Sequence, residues 1–209
     1  MKQLMLGVGM VLSVGANALA QDAGQIGVTL GYPAAVGVIW HVTDNVAVRP
    51  EISFSTGSTE NPVISSGLSL PGRSDDLGES SSTAVTAGVS GLFYFGKWDK
   101  LRAYVSPRYT YAHLTSESGS GSTFRIDGRN SAYAVIGSFG AHYQLHRRFA
   151  VFGETGFGYT HSHTTSTSRL LLPVIPVGPN LPSPVSQSIE TNSHHWNTRT
   201  GAGVIFYFK

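Results

Sequence analysis

The sequence predicts an all-β protein, an eight-stranded antiparallel up-and-down barrel. Beyond residue 20, apolar side chains recur at every second position, which is the period of a β-strand and not of a helix. The connections between the predicted strands alternate between short and long. Successive turns therefore fall at opposite ends of one barrel, and from the second strand onward the short turns share one end and the long connections the other.

Turn residues divide the chain into the individual strands. The predicted strands are 25–32, 36–42, 46–55, 83–96, 101–114, 131–144, 149–161 and 196–208. Short connections are predicted at 43–45, 97–100 and 145–148, and long ones at Ser58–Ser82, Thr115–Asn130 and Ser162–His195. Pro33 separates the first two strands, which are short. A single bent strand from Ile26 to Val42 would leave seven strands, so both interpretations stay open here.

The N-terminus has the three parts of a signal peptide. Lys2 supplies a positive charge, Leu4–Val14 is apolar, and Ala18-Leu19-Ala20 has the small-x-small pattern of a cleavage site. We expect residues 1–20 to be removed and Gln21 to begin the mature protein. The barrel domain is then 21–209, delivered across the inner membrane.

Composition excludes several classes of function. The chain has no cysteine, so disulfides, zinc–thiolate sites and a lipidated cysteine are impossible. The net charge of +2 is too small to indicate a nucleic-acid partner. Nothing in the sequence calls for a cofactor.

The distribution of side chains between the two strand faces predicts that the barrel crosses a membrane. Strand charges lie on the face opposite the aliphatic residues, which suits a narrow polar lumen. Aromatic residues on the apolar face cluster near the strand ends, as expected where rings lie at headgroup level. One predicted girdle is Phe93, Phe95, Phe149, Phe206 and Phe208, and the other is Tyr32, Phe54, Tyr109, Tyr111, Phe157, Tyr159 and Trp196.

Two segments carry a resemblance to a known family. They are Trp40–Glu51, with Asp44-Asn45 followed by apolar-x-apolar-Arg-x-Glu, and the aromatic C-terminal strand Gly203–Phe208. The chain resembles the small outer-membrane β-barrel domain family, the OmpA-like or opacity-protein-like barrels. The resemblance covers essentially the whole mature chain. Lys209 departs from the family, whose members usually end on the aromatic residue.

This resemblance implies a location in the outer membrane of a Gram-negative bacterium. The short turns would be periplasmic and the long loops extracellular. Outer-membrane lipid and lipopolysaccharide would surround the barrel, and the assembly machinery would read the C-terminal strand.

An ion-pair network is predicted inside the barrel. Two carboxylates share the lumen face with four arginines, and an arginine can bridge two carboxylates. We expect a structural plug in preference to a gated ion path, because eight strands leave room for little beyond side chains. The predicted network is Arg49, Glu51, Arg102, Arg108, Glu154 and Arg199.

The histidines beside the last long connection are weaker candidates. His161, His163, His194 and His195 flank it from both sides and could converge on a divalent metal, although their spacing sets no geometry. His161-Ser162-His163 superficially resembles part of a hydrolase site, but Glu154 lies on the opposite face. We expect neither a catalytic nor a metal site.

The predicted function is therefore a non-enzymatic outer-membrane barrel with an envelope-structural or surface-contact, adhesin-like role. The Ser162–His195 connection, which contains the apolar, proline-rich Leu170–Val177, is the predicted contact with an extracellular partner. Two alternatives remain: a narrow, porin-like channel for ions or small solutes, and a lipid A-modifying hydrolase or acyltransferase.

Overall fold

The computed structural model describes residues 23–32, 35–62, 77–120, 124–170 and 186–208. Eight antiparallel strands form a closed barrel in chain order. They are β1 (Ile26–Tyr32), β2 (Ala35–Thr43), β3 (Val46–Pro62), β4 (Leu77–Trp98), β5 (Leu101–Ser120), β6 (Phe124–His146), β7 (Phe149–Leu170) and β8 (Ser186–Phe208). The described residues contain no helix long and apolar enough to cross a membrane.

The N-terminal region forms two strands and not one bent strand. β1 pairs with β2 from Ile26↔Trp40 to Gly31↔Ala35. β1 also pairs with β8, beginning at Ile26↔Phe208, and this pairing closes the barrel. The number of strands is therefore even, and both ends of the described chain lie at the same end of the barrel.

Tight turns connect the strands at that end, as the sequence predicts. Between β2 and β3, the Thr43 hydroxyl accepts hydrogen bonds from the backbone N–H groups of Asn45 (3.3 Å) and Val46 (3.1 Å). Between β4 and β5, Asp99 has a φ of 45°, a left-handed conformation that Asp tolerates better than most residues. These turns lie at the end that the family resemblance makes periplasmic.

The two faces of each strand are assigned as predicted. On β2, Val36, Val38, Trp40 and Val42 are exposed, whereas Ile39 and His41 are fully buried in the lumen. Most outward aromatic residues are exposed, including Phe157 at 55% and Trp196 at 66%, whereas Phe149 and Tyr159 are half-buried. An apolar outer surface around a polar interior is the arrangement of a transmembrane β-barrel, because its outside faces lipid.

The predicted long loops are largely strand, which is a correction. β3 reaches Pro62, β5 reaches Ser120, β7 reaches Leu170, and β8 begins at Ser186. The sequence pattern does not reveal these extensions. Outward side chains need to be apolar only where they face lipid, so the alternation stops above the lipid although the hydrogen bonding between strands continues. These extensions are rich in Thr and Ser, and Thr is a residue that is enriched in β-strands.

The wall has very uneven height. β1 has 7 residues and β2 has 9, whereas β4 to β8 have 20 to 23 each. Among the described residues, β3 above Ser53 pairs with β4 alone, and β8 from Ser186 to Gly201 pairs with β7 alone. In this part of the structure, a gap in the outer wall therefore opens above the β1–β2 hairpin.

Three of the predicted features lie outside the described residues. They are the signal peptide 1–20 with its cleavage site before Gln21, the proline-rich segment after Leu170, and Lys209.

Candidate functional site: an ionic cluster in the lumen

Four strands bring five charged side chains together inside the barrel. Arg49 and Glu51 are on β3, Arg108 is on β5, Glu154 is on β7 and Arg199 is on β8. Successive side chains of a strand point to opposite faces, and all five of these residues occupy positions that point into the lumen. Arg49, Arg108 and Glu154 are buried, with Arg49 only 2% exposed.

Glycines on neighbouring strands make room for the two carboxylates. Glu51 lies between Gly37 and Gly88, and Glu154 lies next to Gly201 in the strand register. A methyl group at Gly201 would lie 3.3 Å from the Glu154 Cγ, and one at Gly37 would lie 3.1 Å from the Glu51 Cβ. Gly37 and Gly201 therefore provide space that the two carboxylates need.

Glu154 is the centre of the cluster. Arg49 Nη2 donates to its Oε2 at 2.7 Å, and Arg108 Nη1 donates to its Oε1 at 3.0 Å. The Tyr104 hydroxyl also donates to Oε2, at 3.1 Å. Charge-assisted hydrogen bonds of this length are the strong ones, so Glu154 ties together β3, β5 and β7.

Glu51 completes the cluster from β3. Arg108 Nη2 is in direct ion-pair contact with Glu51 Oε2. Arg49 Nε lies 3.9 Å from the same oxygen, and Arg199 Nη2 lies 3.7 Å from Oε1. Arg108 therefore bridges both carboxylates, whereas Arg199 sits at the edge of the cluster with a looser pairing.

Arg102 does not belong to this cluster, although the sequence places it on the same face. Its register partners are Lys97 and His142, beside the periplasmic turn that joins β4 and β5. It lies six residues below Arg108 along β5, or roughly 20 Å at about 3.4 Å per residue. Alternation in a sequence fixes the face of a side chain but not its height in the barrel, and this is why the prediction included Arg102.

A second layer, which the sequence analysis missed, lies below the charges. His41 Nε2 is 3.3 Å from the Tyr207 hydroxyl, which is 3.4 Å from His142 Nε2. Tyr94 stacks on His41 at 5.6 Å between ring centroids and meets Tyr104 edge to face at 5.5 Å. Buried aliphatic side chains pack with them, so this layer fills the lumen near the end of the barrel that has the short turns. One sequence feature could have revealed this layer: large aromatic and histidine side chains lie on the polar face of the strands.

The four candidate metal ligands do not converge. His161, His163 and His194 face outward, whereas His195 alternates to the lumen side of β8. His163 Nδ1 pairs with Asn192 Oδ1 at 2.7 Å, and His161 packs against the Tyr133 ring. Among the described residues, no three His, Cys, Asp or Glu side chains are grouped to hold a metal ion.

The side chains of the hydrolase-like motif His161-Ser162-His163 do not meet either. Ser162 faces inward and hydrogen-bonds the Ser193 hydroxyl at 2.7 Å, while its neighbours His161 and His163 face outward. The Glu154 carboxylate is held by Arg49, Arg108 and Tyr104. These positions give the three side chains no common reaction centre.

Comparison with solved structures identifies the same fold. A major outer membrane protein from Thermus thermophilus is similar with a TM-score of 0.58 and 12% sequence identity, over 88% of this chain and 98% of that one. CarO from Acinetobacter baumannii gives a TM-score of 0.44 at 12% identity, over 91% of this chain and 100% of that one. No protein-family model and no curated protein matches the sequence. The likeness to the Thermus protein shows an outer-membrane type of β-barrel fold.

Proposed function

We propose that the protein is a non-enzymatic, non-conducting barrel of the outer membrane whose outer strands contact another macromolecule at the cell surface. The observation that supports this most is one edge of β8 from Ser186 to Gly201: within the part of the chain that the structure describes, this segment pairs with β7 alone. An unpaired strand edge presents N–H and C=O groups that can pair with another chain.

Two such edges face each other across the gap in the outer wall. The second is the upper part of β3, Phe54–Pro62, whose partner among the described strands is β4 alone. The gap spans the width of β1 and β2, the two short strands that end below it. The edges are therefore about three strand spacings apart, or roughly 14 Å at about 4.8 Å each.

The composition of the β8 edge suits strand addition. Between Ser186 and Thr198 the only carboxylate is Glu190, and the segment has neither lysine nor proline. Lysine and proline are common devices that prevent edge-to-edge pairing. The proposed partner is an extended segment or hairpin of an extracellular protein, held mainly through its backbone.

The filled lumen supports the non-conducting part of the proposal. The ionic cluster lies above the aromatic layer, and most side chains of both are buried in the described part of the barrel, with Arg199 at the more exposed side. An eight-stranded barrel has an interior that side chains can fill. We therefore expect planar bilayers that contain the protein to show no large, stable open conductance. Such a conductance would favour the channel hypothesis.

Strand addition is tested by two single proline variants at adjacent β8 positions, Thr191→Pro and Asn192→Pro. Successive N–H groups of a strand point to opposite sides, so one proline removes a bond to β7 and the other blocks the free edge. We expect the edge-blocking variant to fold normally and to lose attachment of expressing cells to immobilised extracellular-matrix proteins.

Equal attachment by wild-type cells, both variants and cells without the protein would contradict the surface-contact proposal. Lipid A mass spectra of deletion and expressing cells test the non-enzymatic part, and we expect them to be identical. A lipid A species that depends on the protein would support the enzyme hypothesis instead.

Export and membrane insertion complete the proposal. The mature chain would begin at Gln21, lie among outer-membrane lipid and lipopolysaccharide, and present its C-terminal strand to the assembly machinery. Fractionation with N-terminal mass spectrometry of the membrane-extracted protein tests this. An intact Met1 would contradict cleavage.

A further inference from the structure

The ionic cluster contains more cations than carboxylates. Arg49, Arg108 and Arg199 surround Glu51 and Glu154, so three positive charges face two negative ones and one positive charge remains. In a medium less polarisable than water, an unbalanced charge attracts a counterion more strongly than it would in bulk solution. The cluster is therefore a candidate site for an anion.

Several arginine donors in the cluster have no hydrogen-bond partner among the described residues. They are Nε and Nη1 of Arg49, Nε of Arg108 and Nε of Arg199. Arg49 and Arg108 are buried, with side chains only 2% exposed, so bulk water does not satisfy these groups. Buried donors without an acceptor are costly, and an acceptor in their midst would remove that cost.

A small cavity adjoins the arginines that carry these donors. Arg49, Arg108 and Arg199 line it together with the carboxylates of Glu51 and Glu154, so the three cations outnumber the two anions in its wall. It lies at the foot of the gap in the outer wall, because Gly31 and Gly201, which also line it, are at the upper end of the β1–β8 seam. The cavity has room for about one water-sized guest, so a monatomic anion fits it better than phosphate, sulfate or an organic acid does.

We propose that this cavity binds a single halide ion, which in nature is chloride that enters from the extracellular side through the gap. The ion accepts hydrogen bonds from the unpartnered arginine groups and neutralises the excess charge. Binding to the folded state alone stabilises that state as the ion concentration rises.

The test measures thermal unfolding of the refolded full-length mature barrel in zwitterionic detergent by circular dichroism. Sodium chloride is compared with sodium gluconate at equal ionic strength, because gluconate is too large for the cavity. We expect a higher unfolding temperature in chloride, with an effect that saturates as chloride rises. Equal unfolding temperatures in the two salts would overturn the proposal and leave water as the occupant.

Two variants separate the site from general salt effects. Gly31→Ala adds a methyl group whose nearest neighbours, Ala202 O and Phe152 Cζ, lie at an ordinary 3.4 Å, so it takes cavity space without altering a charge. Arg199→Gln removes the excess charge at the exposed side of the cluster. Both should lose the chloride-dependent shift, whereas the matched control Glu190→Gln should retain it.

Crystals soaked in sodium bromide give a direct readout. We expect an anomalous peak in the cavity between Arg49, Arg108 and Arg199. A peak elsewhere only, or a chloride effect of wild-type size in Gly31→Ala, would contradict the site.

Discussion

The lumen has two layers that are stabilised in different ways. In the upper layer, Glu154 accepts charge-assisted hydrogen bonds at 2.7 and 3.0 Å. In the lower layer, His41, Tyr207 and His142 are joined by contacts of 3.3 and 3.4 Å within aromatic and aliphatic packing. A buried charge that loses its partner is left uncompensated, whereas a packed ring that loses one weak hydrogen bond keeps its neighbours. The upper layer should therefore be the more sensitive to substitution.

Removing the central carboxylate should have the largest effect. Glu154→Gln keeps the size of the side chain but removes the closest carboxylate of Arg49 and leaves Glu51 as the one carboxylate of the cluster. Breaking a buried pair costs about 3–5 kcal/mol, and water that enters the lumen lowers that figure. The temperature at which the folded, heat-modifiable gel band disappears should fall clearly, while the exposed control Glu190→Gln should leave it unchanged. Equal stability of the two variants would contradict a stabilising role of the cluster.

A positive charge on the other side of the wall should have the next largest effect. Val89 is 45% exposed at the middle of the apolar stretch of β4, and Arg at a lipid-facing midplane position costs about 2–4 kcal/mol. Val89→Arg should reduce folding into lipid vesicles. Ser81→Arg is the matched control, because it lies on the same face of the same strand above the apolar stretch. Similar folding yields for the two would mean that the outward face is not in lipid.

The lower layer should respond less. Tyr207→Phe removes the hydroxyl contacts to His41 and His142 but keeps the ring, and a neutral hydrogen bond contributes about 0.5–1.5 kcal/mol. We expect a smaller fall in the unfolding temperature than for Glu154→Gln, measured by the same gel assay. A larger fall would reverse the ranking of the two layers.

An exposed ion pair provides the smallest expected effect. On the extracellular part of β6, Arg125 Nε donates to Asp127 Oδ1 at 2.8 Å, and this hydrogen bond lowers the pKa of the Asp127 carboxyl. Its contribution is present above the unfolded-state pKa and is lost as the pH falls through the lower folded-state value. Arg125→Gln should raise the Asp127 pKa in an NMR titration without a measurable change in unfolding temperature. A fall as large as that of Glu154→Gln would show that burial does not set the difference.

The sequence located the candidate site in part. Arg49, Glu51, Arg108, Glu154 and Arg199 meet in the structure because alternation had placed them on one face. Alternation carries no information about the stagger between strands, so it could not separate Arg102 from this group. His41, His142 and Tyr207 were missed for the same reason: only the register brings three distant strands to one height.

The sequence by itself determined the all-β fold, the number of longer strands, the short turns, and which face of each strand points inward or outward. These features depend on local chemistry: a period of two, turn residues, and the demand of lipid for apolar side chains. The tertiary structure alone decided that β1 and β2 are separate strands and that the longer strands continue beyond the apolar belt. It also decided that, among the described residues, β8 and β3 each have one edge without a partner above a short hairpin. Hydrogen bonding between strands decides these features, and it depends on partners far away in the chain and not on the pattern within any one segment.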